Sequence, residues 1–293
     1  MALRNENDGA DTYTLTANVG GDDYVYTKGD VTFQNGKYYG ITVKMAKYDP
    51  LAVPLTIEAQ NNGNILISNP KSGMKYSKNS GAKTDITTSI SVSAGDKVQF
   101  YGNGTSITSY DGTKIQGNEG FQCKAFGNIM SLVDEENFAT ATTLSSDFAF
   151  NELFEYNYAL TDASDLLLPA TTLRMDCYWG MFWGCTSLTK APAILPAETL
   201  QTHCYYGMFY GCTSLTTAPV LPATNLVSTC YENMFKGCSS LNSVTCMATS
   251  NTGYGTPNWL DGVAATGTFN AASGASWPEG ASGIPSGWTR VDK

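Results

Sequence analysis

"CYWGMFWGCTSLTKAP" (177–192) returns almost unchanged as "CYYGMFYGCTSLTTAP" (204–219), and more loosely as "CYENMFKGCSSLNSVT" (230–245). Recurrence at a fixed period marks a repeat architecture, in which one unit cannot bury its apolar side alone and must stack on its neighbours. The first two copies are followed by "ILPAETL" and "VLPATNL". Two weaker copies precede them, "AFGNIMSLVDEENFATATTL" (125–144) and "FNELFEYNYALTDASDLLLPATTL" (150–173). Aligning all five puts Phe126, Phe154, Phe182, Phe209 and Phe235 in one column, at spacings of 28, 28, 27 and 26 residues. The expectation is a solenoid.

Each coil divides into three parts. "CYxxMFxGC" has the apolar spacing of a short helical turn, and Gly184, Gly211 and Gly237 stand where such a turn is closed. "SLTTAP" alternates apolar and polar residues as a short strand does, with Pro192 and Pro219 expected to end it. "LPATxL" then turns the chain back. Counted from the first cysteine of each coil, offsets 0, 1, 4, 5 and 8 hold Cys, Tyr, Met, Phe and Cys every time. On a helix these offsets form one stripe, which is expected to face the core. Offsets 2, 3 and 6 vary and fall on the opposite face. They hold Trp179, Gly180 and Trp183, then Tyr206, Gly207 and Tyr210, then Glu232, Asn233 and Lys236.

The "MFxGCTSLT" and "LPATxL" motifs resemble the BspA-type leucine-rich repeats of Bacteroides-type bacteria. "GTFNAASGASWPEGASGIPSGWTRV" (267–291) resembles the segment that closes such arrays, so the resemblance covers roughly 120–293. It implies a surface or secreted protein, often lipid-anchored, that acts in adhesion and in protein or glycan binding. Related arrays are also carried by phages of the same bacteria. Upstream, "DTYTLTANVGGDDYVYTKGDVTFQNGKYYGITVKM" (11–45) looks like the closing strands of a fimbrillin-like β domain.

The expected architecture is therefore mainly β: small N-terminal β-sandwich-like units, then a short leucine-rich-repeat solenoid with one short helical turn per coil. Residues 1–48 are the fimbrillin-like β segment and 49–120 a small β unit capping the solenoid. Residues 121–293 hold about five coils of period 26–28, with a C-terminal cap from about 250. "AKYDPLAVP" (46–54) is the expected linker, and short strand candidates such as "NILISN" and "DKVQFYG" lie between Gly/Asn/Asp turns.

Charged residues make up only 15% of the chain, with 17 Lys+Arg against 26 Asp+Glu and a net charge of −9. No basic run exists, which makes nucleic acid and anionic membrane poor partners. Apolar runs reach only four or five residues, so no transmembrane segment is expected. The sequence carries neither a basic-then-apolar signal peptide nor a lipobox cysteine. An extracellular or outer-membrane-surface location is expected from the resemblance and the Gly-, Thr-, Ser-, Asn- and Tyr-rich composition, with any export signal removed by processing.

The cysteines form two columns, Cys177, Cys204 and Cys230, and Cys185, Cys212 and Cys238. Zinc needs CxxC-like spacing or histidine partners, but the spacing within a coil is eight and His203 is the only histidine. Eight helical residues rise about 12 Å, too far for a disulfide within a coil. Disulfides across coils are geometrically conceivable, though each column of three leaves one cysteine over. A buried thiol ladder is the leading reading. No metal, cofactor or catalytic residue is expected: His203 has no nucleophile motif beside it, and no GxSxG, HExxH or Walker A pattern occurs. The acidic clusters Asp22–Asp23 and Asp134–Glu135–Glu136 lack calcium-loop spacing and read as solvated loops.

Trp179, Trp183, Tyr206 and Tyr210 fall on the face expected to be exposed, with polar residues in the coils on either side. A contiguous aromatic patch suits protein hot spots and sugar stacking alike, the alternative being that the rings pack on one another or on a cap. The strand face, with Thr189, Lys190, Thr216 and Thr217, is the second candidate. The function expected is non-catalytic recognition of a host or bacterial surface protein, or of a glycan. A glycan-capture module of a polysaccharide-utilisation system and a phage or virion surface recognition protein stand as alternatives.

Overall fold

The computed structural model describes residues 11–19, 22–31, 46–104, 111–251 and 253–293. The chain divides into two compact units, Met1–Pro50 and Leu51–Lys293. In the first, β1 (Asp11–Val19), β2 (Asp22–Val31) and β3 (Ala46–Lys47) form an antiparallel sheet in that order. Threonine, tyrosine and valine fill β1 and β2, as a pleated surface favours. The rest of the fimbrillin-like stretch, 20–21 and 32–45, lies outside the described residues.

The second unit begins with eight strands: β4 (Thr56–Ala59), β5 (Gly63–Ser68), β6 (Lys75–Lys78), β7 (Thr84–Asp85), β8 (Ser89–Val92), β9 (Lys97–Tyr101), β10 (Lys114–Gly117) and β11 (Cys123–Asn128). They make two sheets. One has the order β10-β5-β8, and the other runs through β11-β4-β9-β6-β7. Ile57, Ile65, Ile90, Val98, Phe100 and Ile115 are buried in the core. β11 joins this region to the repeats, because it is antiparallel to β4 on one side and parallel to β12 (Leu160–Asp162) and β13 (Leu166–Leu167) on the other. No open edge is therefore left between β4 and the first repeat strand.

The remainder is a β-solenoid of about three turns. Its regular sheet is β14 (Thr217–Leu221), β15 (Ser243–Cys246), β16 (Gly267–Ala271) and β17 (Trp288–Asp292), all parallel. Single parallel bridges, Asp162↔Lys190, Ile194↔Val220 and Thr143↔Thr172↔Thr199, carry the same stacking through the earlier coils. Pro219 does not end its strand but sits inside β14, where the register against β15 shifts between Thr217 and Val220. That irregularity accommodates a residue with no N–H to donate.

The helical turn expected in each coil is replaced by a ribbon of successive turns. Among the described residues the only helical segments are three short 3-10 pieces, Pro50–Ala52, Ile129–Leu132 and Phe138–Thr140. In the ribbon every fourth residue is left-handed: Asp176, Gly180 and Gly184 have φ of 55°, 58° and 71°, and His203, Gly207 and Gly211 have 56°, 54° and 69°. Alternate amides close turns within the coil, as Met181 N to Tyr178 O at 3.3 Å and Trp183 N to Gly180 O at 2.9 Å. The amides between them donate to the next coil, as Tyr178 N to Cys204 O, Gly180 N to Tyr206 O and Phe182 N to Met208 O, at 2.8–2.9 Å. Half the ribbon's donors thus hold the coil and half hold the stack.

The inward stripe is where the sequence puts it. Phe154, Phe182, Phe209 and Phe235 stack at 5.5, 5.1 and 5.5 Å, and Phe150, Tyr178, Tyr205 and Tyr231 at 5.4, 5.4 and 5.9 Å. Phe126 does not belong to this column; it is half-buried in β11, among the strands. At the other end, where a cap is expected from about 250, the ribbon continues: Trp259 takes the next stacking place over Tyr231 at 6.1 Å, and Gly262 lies over Gly237.

Candidate functional site

The four candidate aromatics lie on the outer side of the ribbon, half-buried rather than exposed. They form two short columns. Trp183 stacks on Tyr210 with centroids 4.1 Å apart and planes within 11°, and Trp179 stacks on Tyr206 at 5.6 Å and 18°. The columns touch through Trp179 and Trp183, at 6.1 Å. Glycine makes this possible. A Cβ on Gly207 would lie 2.8 Å from the Trp183 ring, and one on Gly184 would lie 2.4 Å from the ring of Tyr156. Packing of ring on ring and partial exposure therefore occur together.

Polar residues close both ends of the columns. Asn233 Nδ2 donates to the Tyr206 hydroxyl at 3.0 Å. Lys236 does not pair with Glu232 of its own coil, as helical spacing predicts, but with Asp261 of the next coil at 3.2 Å. Lys236 and Asp261 stand just before the aligned Gly237 and Gly262, so the stack sets them side by side. On the other side Asn151 is buried, while Lys114 of β10 bonds both Glu155 and, at 2.6 Å, Glu152. His203, which the sequence leaves without a role, bonds Asp176 of the preceding coil through Nδ1 at 3.2 Å and meets the Tyr206 ring edge-on at 5.6 Å. Burial raises the Asp176 carboxyl above its usual range, against the pull of His203. The repeat register could have given this contact, because both residues stand one place before the first cysteine of their coils, 27 apart.

The strand-face candidates Thr189, Lys190, Thr216 and Thr217 are all exposed. Lys190 bonds Asp162 at 3.2 Å, and Thr189 Oγ1 donates to Thr161 O at 2.8 Å. Burial works to raise the Asp162 carboxyl, but bonds from Ser164 and Lys190 outweigh it and hold it low. Beside them lie two exposed apolar residues that the sequence reading missed, Ile194 and Val220, paired across the coils. The strand alternation could have given them, since both lie just past the prolines assumed to stop it.

All eight cysteines are free and buried. Cys185, Cys212 and Cys238 donate S–H bonds to Phe154 O, Phe182 O and Phe209 O of the preceding coil, at 3.0, 3.1 and 2.9 Å. Burial pushes the thiols of Cys123, Cys177, Cys230 and Cys246 up to about 12. These are packing groups that also satisfy carbonyls. Of the acidic clusters, Glu135 is bonded by Lys75 at 2.9 Å with Lys83 nearby, and Asp134 accepts the amides of Glu136 and Asn137. Asp23 accepts from Asn18 at 2.8 Å. Among the described residues no three His, Cys, Asp or Glu side chains are grouped to hold a metal, and no helix is long and apolar enough to cross a membrane.

Comparison with protein-family models, with curated proteins and with solved structures returns no match for this chain.

Proposed function

We propose that this chain is a non-catalytic recognition protein of a cell surface, outer membrane or virion, which binds a protein or glycan through the outer side of its turn ribbon. The observation that carries the reading is the pair of half-exposed aromatic columns, Trp179–Tyr206 and Trp183–Tyr210, confined to two coils and closed by polar residues at both ends. Stacked rings on a hydrogen-bonded ribbon lose little freedom on binding, and aromatic anchors dominate the energetics of recognition. The resemblance of "MFxGCTSLT" and "LPATxL" to BspA-type leucine-rich repeats supports an adhesive role and a surface location. On this reading 1–48 is a fimbrillin-like segment, 49–120 caps the array and 121–293 presents the binding coils.

The strand face is a second surface, favoured by the adjacent exposed Ile194 and Val220 beside Lys190. A glycan array run beside a surface-protein pull-down tests the proposal. Binding that is lost in Trp179→Ala/Tyr206→Ala supports the aromatic columns, and binding lost only in Lys190→Ala/Val220→Ser moves the site to the strands. Turnover of any bound glycan overturns the non-catalytic reading.

A further inference from the structure

Two features of the aromatic columns narrow what they bind. The first is that each ring gives one face to its stacking partner, while the flanking coils place Glu155 and Lys236 next in one column and Asn151 and Glu232 next in the other. Trp183 and Tyr210 are stacked at 4.1 Å, Trp179 and Tyr206 at 5.6 Å, and the Trp183 ring also overlies the Gly207 backbone. A saccharide that stacks on an aromatic platform needs an open ring face. The four rings are half-buried, and among the described residues no hydrogen bond engages the Trp183 indole N–H or the Tyr210 hydroxyl.

The second feature is charge. Between Asp147 and Gly262 the sequence has nine Asp and Glu but only Arg174, Lys190, Lys236 and the single histidine, His203, on the basic side. Each of these four is already engaged, with Asp147, Asp162, Asp261 and Asp176 respectively. Lys114, reaching in from β10, is shared by two carboxylates, Glu152 and Glu155. Glu232, which occupies the next place in the Trp179–Tyr206 column, has no ion-pair partner among the described residues. The columns therefore lie between an over-subscribed lysine on one side and an unpaired carboxylate on the other.

Building on the recognition reading above, we infer that the columns take a basic polypeptide segment and not a saccharide. The aliphatic stems of Lys or Arg side chains lie along the ring edges while their charged heads reach Glu232 and the Glu152–Glu155 pair. The indole N–H and the tyrosine hydroxyl donate to carbonyls of the segment. The rings supply the lasting contact, and the carboxylates speed encounter in a salt-dependent way.

A random peptide library displayed on phage, selected on the whole chain and counter-selected on Trp183→Ala/Tyr210→Ala, tests this. Recovered sequences should be enriched in Lys and Arg, and a synthesised representative should bind the double variant about tenfold more weakly. Because that variant also removes stacking between coils, Glu232→Gln serves as the variant that keeps the fold, with melting curves checking both. It should weaken the same peptide about threefold at low salt and leave affinity unchanged at high salt. Neutral or acidic recovered peptides, or insensitivity to Glu232→Gln, overturn the inference while leaving the recognition reading in place. So does saccharide binding on a glycan array that depends on Trp183 and Tyr210. Recovery of neither peptide nor saccharide in a ring-dependent way overturns both.

Discussion

At Gly207 two constraints coincide: its φ is 54°, and a Cβ there would lie 2.8 Å from the Trp183 ring. Gly207→Ala is therefore expected to cost about 1–2 kcal/mol from the left-handed backbone alone, and more from displacing the indole. Urea denaturation gives the stability, and tryptophan fluorescence reports the moved ring. Tyr178 presents the opposite case. Its ring is stacked between Phe150 and Tyr205, but its hydroxyl is buried with no hydrogen-bond partner. Tyr178→Phe keeps the ring and removes the unsatisfied group, so it is expected to stabilise the chain by about 1 kcal/mol. A loss of stability in the same denaturation experiment refutes that. The thiols make a third test at this scale. With Cys123, Cys177, Cys230 and Cys246 pushed up to about 12 by burial, the native chain should be nearly inert to a thiol-specific disulfide reagent at neutral pH. After denaturation without reductant, eight thiols should titrate. A shortfall of two or four would instead mean disulfides across the coils.

At the scale of elements, the ribbon explains both what the sequence discloses and what it disguises. Its turns repeat every four residues, two pointing in and two out, so Cys177–Tyr178 and Met181–Phe182 are buried while Trp179 and Trp183 face outward. A helix repeats at about 3.6, and over nine residues the two periods place apolar residues alike. Hence the core columns and the aromatic face were legible, while the element itself was not. The discriminating signal was present in Gly180 and Gly184, and again in Gly207 and Gly211: glycine every fourth residue weakens a helix by about 1 kcal/mol each but serves a left-handed turn position. Glu232 and Lys236 misled for the same reason, their helical spacing hiding the bond from Lys236 to Asp261. In the β region the informative group is Asp96, which accepts bonds from Lys78, Asn79 and the Ser93 amide. Burial works to raise this carboxyl, but those bonds outweigh it and lower it from 3.8 to about 2. A carboxyl lowered in the folded chain stabilises above its unfolded value and loses that effect as pH falls through the folded one. The advantage of the native chain over Asp96→Asn should therefore be on the order of 1–2 kcal/mol at pH 6 and vanish as pH falls from about 4 to about 2. A pH-independent difference would show that the bonds, not the charge, carry it.

For the whole molecule, stacking makes stability close to a sum of coil and interface contributions. Removing residues 177–203, one coil of 27 residues, brings Cys204 to the place Cys177 held and leaves every column continuous. The shortened chain is expected to fold with the same β-type circular dichroism and to melt a few degrees lower. Removing 177–190 instead cuts the coil mid-turn and should prevent cooperative melting. The region 49–120 was expected to cap the array, and the join through β11, hydrogen-bonded to β4 and to the first repeat strands, shows why that boundary has no loop to announce it. One feature reaches further than stability. Gly184, Gly211, Gly237 and Gly262 lie backbone to backbone, a Cβ on each of the last three falling 3.5–4.0 Å from the glycine before it. All four have φ of 69–76°, which resists any residue but glycine, yet the residue just before each glycine is free to be Trp183, Tyr210, Lys236 or Asp261. The solenoid thus separates a fixed spine from an interchangeable alphabet beside it, so that its specificity can be rewritten one coil at a time while the frame that displays it stays as it is.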